Sequence, residues 1–310
     1  MAFEQGTANG HVDLLDKVVS FLTTNQQLVD DKQNWQVLKT ESEGYLRQFF
    51  LKAPGLSGKE EIYINFRVFD NKENDRYNWH TRGALGFIEN QKFLDQPNLS
   101  PKTYSYYWDK AIPYWLVGNG QRVIIVAKIS TSYVVSYFGK IIPYGTPKQF
   151  PYPLFIGGVG NDSGKRWSDS SNTFDVSCVM SPGQGCQFYT SDGGWRQVRN
   201  RYSTSSSDTS YLNLLPTAQG GFFRARSSGW TTFKQVQPNP DGSYTLLPFM
   251  LATHNNYPSR NVYGELDGLL WVTGTGNAAE NIITIDSQDY LVVQNMHRTD
   301  WEEYAAVRLQ

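Results

Sequence analysis

Apolar positions near the start of the chain recur at helical spacing. In Asp13-Leu-Leu-Asp-Lys-Val-Val-Ser-Phe-Leu-Thr, the residues Leu14, Leu15, Val18, Val19, Phe21 and Leu22 fall on one face, which predicts an amphipathic helix. Asp13 and Asp16 are expected in its first turn, where unpaired N–H groups favour negative charge, with Asn9 or Thr7 as the cap. The period then changes to two. Ile62, Ile64, Phe66 and Val68 alternate with Tyr63, Asn65, Arg67 and Phe69, the pattern of a strand with one face on a core. Two apolar runs, Tyr114-Trp-Leu-Val and Arg122-Val-Ile-Ile-Val-Ala-Lys-Ile, flank Gly118-Asn-Gly120 and predict a hairpin; residues 132–138 predict a further strand.

Beyond residue 155 the same signature continues. Residues 187–190 and 195–199 flank Asp192-Gly193, residues 233–237 and 244–248 flank Pro240-Asp-Gly242, and residues 282–285 and 290–293 flank Asp286-Ser-Gln-Asp289. These are three predicted hairpins. Between them, Tyr202-Ser-Thr-Ser-Ser-Ser-Asp-Thr-Ser-Tyr211 has little to bury and is expected to be a surface loop. No repeat of fixed period is present, which disfavours propellers and solenoids.

The expected fold is α+β to mainly β: an N-terminal helix packed on a small antiparallel sheet, followed by a β-rich second domain. With 310 residues, two domains are expected, 1–155 as an α+β assembly domain and 156–310 as a β-rich domain with long surface loops. The boundary is placed in the Pro- and Gly-rich, then polar, stretch 143–172.

Composition sharpens this picture in three ways. Aromatic residues make up 15% of the chain, and they favour pleated half-buried surfaces and subunit contacts. Tyr107, Trp108, Tyr114, Trp115, Tyr144 and Tyr152 are therefore the candidate interface residues. A formal net charge of -1 argues against a protein whose affinity comes from neutralising phosphates, so no sequence-specific nucleic acid is expected as partner; Arg76 to Arg82, with Tyr77 and Trp79, reads as a sheet rim. No run approaches a membrane span, and Met1-Ala-Phe-Glu-Gln5 lacks a basic-then-apolar leader, so the chain is expected to be made and kept soluble.

Signals for chemistry are weak. Gly157-Gly-Val-Gly-Asn-Asp-Ser-Gly-Lys165 departs from a phosphate-cradling loop, with Val159 in place of the first Gly and Arg166 in place of the metal-binding hydroxyl. Gly274-Thr-Gly-Asn-Ala-Ala279 nearly matches a dinucleotide fingerprint, yet residues 282–285 read as a strand where that motif needs a helix. The acidic residues Asp162, Asp169, Asp175, Glu265 and Asp267 supply no pair without a known separation. His11, His80, His254 and His297 are scattered, so no metal, cofactor or catalytic residue is assigned. Cys178 and Cys186 are read as two thiols of a cytosolic product, with a disulfide-closed loop as the alternative.

Several segments, in order, resemble virion structural proteins encoded in the tail and head-tail modules of tailed phages. They are Ala2-Phe-Glu-x-Gly-Thr-Ala with Asp13-Leu-Leu-Asp-Lys; Leu51-Lys-Ala-Pro-Gly-Leu-Ser-Gly with Ile62-Tyr-Ile-Asn; Tyr77-Asn-Trp-x-x-Arg-Gly83; residues 114–128; Tyr144-Gly-Thr-Pro-x-Gln-Phe-Pro-Tyr-Pro-Leu154; Gly264-Glu-Leu-Asp-Gly268; and Tyr290-Leu-Val-Val-Gln-Asn-x-x-Arg298. The resemblance carries little across residues 160–250. It implies a non-enzymatic particle component of the neck, collar or tail, made in the host cytoplasm and residing in the virion. Such a component is expected to form homo-oligomers, as a ring, and to contact other virion proteins. A peripheral receptor- or glycan-binding tail protein is the alternative, and a virion-associated glycan hydrolase a third reading.

Overall fold

The computed structural model describes residues 1–42, 47–146, 148–169, 185–198, 212–216, 236–253, 261–296 and 300–310. Its elements begin with β1 (Ala2–Asn9), α1 (Gly10–Thr24), α2 (Gln26–Asp30), β2 (Gln36–Glu41), β3 (Gln48–Ala53), β4 (Ile62–Asn71), β5 (Arg76–Ala84) and β6 (Thr103–Tyr107). They continue with β7 (Ala111–Gly118), β8 (Arg122–Ile129), β9 (Ser132–Lys140), β10 (Ile142–Pro143), β11 (Leu154–Gly157), β12 (Cys186–Tyr189) and β13 (Trp195–Val198). The last are β14 (Leu212–Leu215), β15 (Leu247–Thr253), β16 (Val262–Trp271), β17 (Ile282–Ile285), β18 (Gln288–Gln294) and β19 (Tyr304–Arg308). The protein is mainly β, with its principal helix at the N-terminus.

A small antiparallel sheet runs β2-β3-β4-β5-β6, and a second sheet of 14 strands runs β1-β7-β8-β9-β11-β12-β13-β14-β15-β16-β19-β18-β17, with β10 paired to β16. The inward face of the small sheet, Ile64, Phe66, Val68 and Trp79, packs on Leu116, Ile125 and Phe138 of the large one. Phe66 and Phe138 meet edge to face with centroids 5.3 Å apart. The other face of the same large-sheet strands, Val117, Ile124, Val126, Val135 and Tyr137, is buried with Leu251, Leu269, Leu291 and Val307. Strands β7 to β9 are thus a middle layer, which is why β8 reads as an almost unbroken apolar run instead of an alternation.

Helix α1 buries the predicted Leu14, Leu15, Val18, Val19, Phe21 and Leu22, and packs against β1 and β7 as well as β4 and β5. It starts at Gly10, earlier than expected, so Asp16 falls outside the first turn and Asp13 alone remains there. Asn9 is the N-cap, but its side chain accepts no capping bond; instead its backbone N–H donates to Asp13 Oδ2 at 2.7 Å.

Two of the three later hairpins form. The pair β12–β13 surrounds Asp192-Gly193, and β17–β18 turns through Asp286 and Ser287, both at positive φ (51° and 62°), as a two-residue turn matching strand twist requires. At Pro240-Asp-Gly242 the turn is present, with Gly242 N–H bonded to the Asn239 carbonyl at 2.8 Å, but residues 244–246 are not strand. Tyr244 and Leu246 pack against a small cluster of Val272, Val292 and Tyr304 instead, and β15 pairs β14 and β16. Residues 233–235 and the Ser-rich stretch 202–211 lie outside the described residues.

The boundary expected at residue 155 falls inside β11, a buried strand bonded to β9 on one side and β12 on the other. Hydrogen bonding also runs from β10 across to β16, so the large sheet draws on both halves of the chain. Among the described helices, none is long and apolar enough to cross a membrane.

Candidate functional site

Among the described residues, the largest fully buried charged side chain, Arg122, lies where the β7–β8 hairpin meets a bulge in β16. Asn119 organises the hairpin: its Oδ1 accepts from the backbone N–H of Gln121 (2.9 Å) and Arg122 (3.1 Å). Its Nδ2 donates to Asp267 Oδ2 at 2.9 Å. Arg122, completely buried, donates from Nε to the same carboxylate oxygen at 3.1 Å, from Nη1 to the Val117 carbonyl at 3.2 Å, and from Nη2 toward Met1 Sδ at 2.9 Å. Arg308 Nη2 donates to the other oxygen, Asp267 Oδ1, at 3.1 Å. Burial works to raise the Asp267 pKa, but the adjacent Arg122, the Asn119 hydrogen bond and Arg308 together hold it below the usual carboxylate range.

The bulge delivers Asp267 to this point. Across β15 and β16 the register passes from Met250↔Glu265 to Pro248↔Leu270, so residues 266–269 have no one-to-one partners. Gly268 turns the bulge at φ 75°, where a Cβ would lie 2.6 Å from Arg122 Nη2. The surroundings add further ties: Trp35 Nε1 donates to the Asn119 carbonyl (2.9 Å) and Gly55 N–H to the Gly120 carbonyl (2.6 Å). Three of the segments that carry the resemblance, residues 51–58, 114–128 and 264–268, therefore meet around one buried centre, and residues 2–8 run beside it through the pairing of Ala2 with Gly118. Sequence alone does not pair Arg122 with Asp267; Gly264-Glu-Leu-Asp-Gly268, two acids between two glycines, is the one local sign of the bulge.

The six candidate interface aromatics do not form one surface. Tyr107 and Tyr114 belong to the core, Tyr114 donating to Glu4 Oε1 at 2.9 Å, so neither is available to a partner of the folded chain. Trp108 and Trp115 are half-buried, Trp108 packing edge-on against Trp167 at 5.5 Å. Tyr144 and Tyr152 are exposed, at 54% and 39%. Tyr144 follows β10 and donates to Glu265 Oε2 at 2.8 Å. Periodicity in an aromatic-rich run is the same for core and contact, which is why the sequence did not separate these groups.

The acidic candidates stand apart. Asp267 is consumed by Arg122 and Arg308, Glu265 by Tyr144, Asp169 by Arg166 at 3.2 Å, and Asp162 caps its own turn by accepting from Gly164 N–H at 2.7 Å. Asp175 lies outside the described residues, as do His254, His297 and Cys178. Cys186 is buried, its thiol donating to the Gly158 carbonyl at 3.5 Å. The Gly157–Lys165 stretch continues β11 beside β6, with Tyr104 and Gly160 bridged, and no helix follows at the position a phosphate loop needs. Gly274–Ala279 is a turn before β17. Among the described residues no group of three or more His, Cys, Asp or Glu could hold a metal ion.

Two histidines acquire partners that sequence spacing hid. His11, in the first turn of α1, bonds Asp70 at the end of β4, both side chains being buried beside a 330 Å³ surface cavity lined by Asp70, Asn71, Lys72 and Glu73. His80 lies on β5, which is an interior strand between β4 and β6 and not the rim expected for residues 76–82. Its Nε2 accepts from Arg82 Nε at 3.1 Å, so the imidazole is neutral.

Burial first, then the charges of Arg82, Lys102 and Arg67, push the His80 pKa down to about 3 from 6.5. The unfolded chain therefore takes up a proton that the folded chain refuses. Stability is expected to be full above pH 6.5 and to fall as pH drops toward 3, by up to about 1.4 kcal/mol per unit from this residue. Melting curves from pH 7 to 4 should show a shallower acid decline for His80→Gln than for the natural chain, and identical declines would exclude the contribution.

No protein-family model matches the chain, and no curated protein was found to be similar to it.

Proposed function

We propose that this mainly β protein is a non-enzymatic structural component of a tailed-phage particle, resident in the neck, collar or tail. It works by assembling with copies of itself and contacting other virion proteins. The observation that carries the reading is that three of the resemblance segments, residues 51–58, 114–128 and 264–268, meet at the Arg122–Asp267 centre. Residues 51–58, 114–128 and 264–268 tie the small sheet to the large one around this centre, as a subunit that carries load between its neighbours requires. Sheet geometry supports assembly as well. The terminal strands of the large sheet, β1 and β17, each have one hydrogen-bonded neighbour among the described strands. Two different edges on one subunit suit a heterologous contact, and such contacts close into rings when the rotation per subunit divides a full turn.

The test is electron microscopy of purified particles together with light scattering of the recombinant chain. A ring of subunit density at the neck or tail and a discrete oligomer in solution are expected. A monomer with no density in the particle would end the proposal. Binding to host glycans by that monomer would move the chain to the peripheral receptor-binding reading, and clearing on a cell-wall zymogram to the hydrolase reading.

A further inference from the structure

On the side of the small sheet turned away from its apolar inward face, Arg67, Arg82 and Lys102 have no carboxylate partner among the described residues. Register sets the pattern. Arg67 on β4 is opposite His80 on β5, which is opposite Tyr104 on β6; one step along, Arg82 is opposite Asn65. Lys102 immediately precedes β6, whose first residue Thr103 is paired with Thr81 on β5, and its charge acts on His80 together with those of Arg82 and Arg67. Arg67 and Arg82 thus lie diagonally across β4 and β5, roughly 7–8 Å apart between backbones, and Lys102 lies on the β6 side of Arg82, near His80 but two strands from Arg67. Like charges this close across strands repel, and a fold ordinarily answers them with a carboxylate.

Here the neighbours are of another kind. Asn65 donates to the Phe93 carbonyl at 3.0 Å, Tyr104 stacks on His80 with centroids 5.1 Å apart, and His80 is neutral. The charged groups acting on His80 are Arg82, Lys102 and Arg67, all cationic; Asp162, the acid that acts on Tyr104, is exposed and caps its own turn. Arg67 Nε is buried and has no hydrogen-bond partner among the described residues. An unanswered buried donor of this kind is destabilising, more so when it is charged, unless something binds it.

From this array we infer that Arg67, Arg82 and Lys102 form a binding site for a phosphate group, a tetrahedral dianion. Two guanidinium forks and an ammonium present donors to three terminal oxygens, which a phosphate monoester or inorganic phosphate offers and a carboxylate, with two oxygens and one charge, does not. Tyr104 and neutral His80 form the floor, and Arg82 is aimed by its bond to His80. The inference stands apart from the particle assignment, since it rests on the small sheet alone.

Titration calorimetry of the full chain at pH 7.5 and fixed ionic strength tests it, with inorganic phosphate, glucose 1-phosphate and acetate as probes. Saturable binding of both phosphates is expected, weakened at least tenfold in Arg67→Gln and in Lys102→Gln, with acetate silent. Tighter binding of glucose 1-phosphate would mark a phosphorylated sugar as the source, and tighter inorganic phosphate the free ion. Lys102 is exposed, so its variant should melt as the natural chain does and report on binding alone. Acetate binding as well as phosphate, or variants binding phosphate as the natural chain does, would overturn the site.

Discussion

Replacing Asp267 with Asn is expected to lower folding stability by about 3–5 kcal/mol, the usual cost of leaving a buried charge without its partner. Arg122 has a side chain with no solvent exposure, and Asp267 is the carboxylate that neutralises it. In the variant the guanidinium keeps its bonds to the Val117 carbonyl and Met1 but loses its counter-charge in a medium that solvates ions poorly. Arg308 is the internal control: its side chain is 37% exposed, so Arg308→Gln should cost no more than about 1 kcal/mol. A double replacement, Arg122→Met with Asp267→Leu, should recover much of the loss, because two apolar groups need no counter-charge. Urea unfolding of the four proteins measures this. Equal losses for Asp267→Asn and Arg308→Gln would show that the centre is wetter and weaker than its burial implies.

Gly139→Ala is expected to be comparably damaging, at about 3 kcal/mol or more, through backbone and not charge. Gly139 sits in β9 at φ 134°, a region L side chains rarely adopt, opposite Arg122 in the β8–β9 register. An added Cβ would lie 2.2 Å from the Gln121 carbonyl oxygen and 2.6 Å from Arg122 Cα. Both contacts are backbone, so relief requires moving the strand that carries Arg122. The substitution should therefore also loosen the ionic centre, and hydrogen exchange should report faster opening of residues 119–123 together with β16. By contrast, Gly194→Ala, where a Cβ meets nothing within 4 Å, should leave both stability and exchange nearly unchanged. A Gly139→Ala protein as stable as Gly194→Ala would refute the close approach.

Local order was legible in the residues themselves. The apolar face of α1, the alternation of β4, the glycine-rich turn between β7 and β8, and the turns at Asp192-Gly193 and Asp286-Ser287 all arise from periodicity and dihedral preference within a few residues. A mainly β fold with an N-terminal helix follows from those patterns. What they do not contain is which run meets which. Arg122 and Asp267 are 145 residues apart in the chain, and nothing near either one names the other.

The same limit explains the aromatic residues and the histidines. Tyr107 and Tyr144 both sit in aromatic-rich stretches, yet one is covered by the opposing sheet and the other stands in solvent beside β10. Arg67, Arg82 and Lys102 look unremarkable along the chain, where polar residues separate them. Strand register brings Arg67 and Arg82 onto one face, and the start of β6 puts Lys102 near them. Secondary structure here was determined by the sequence through short-range sterics and hydrophobic period. The sheet order, the buried ion pair and the unanswered cations were decided only by the tertiary structure, because pairing partners, burial and local electric field depend on distances that close only when the chain is folded.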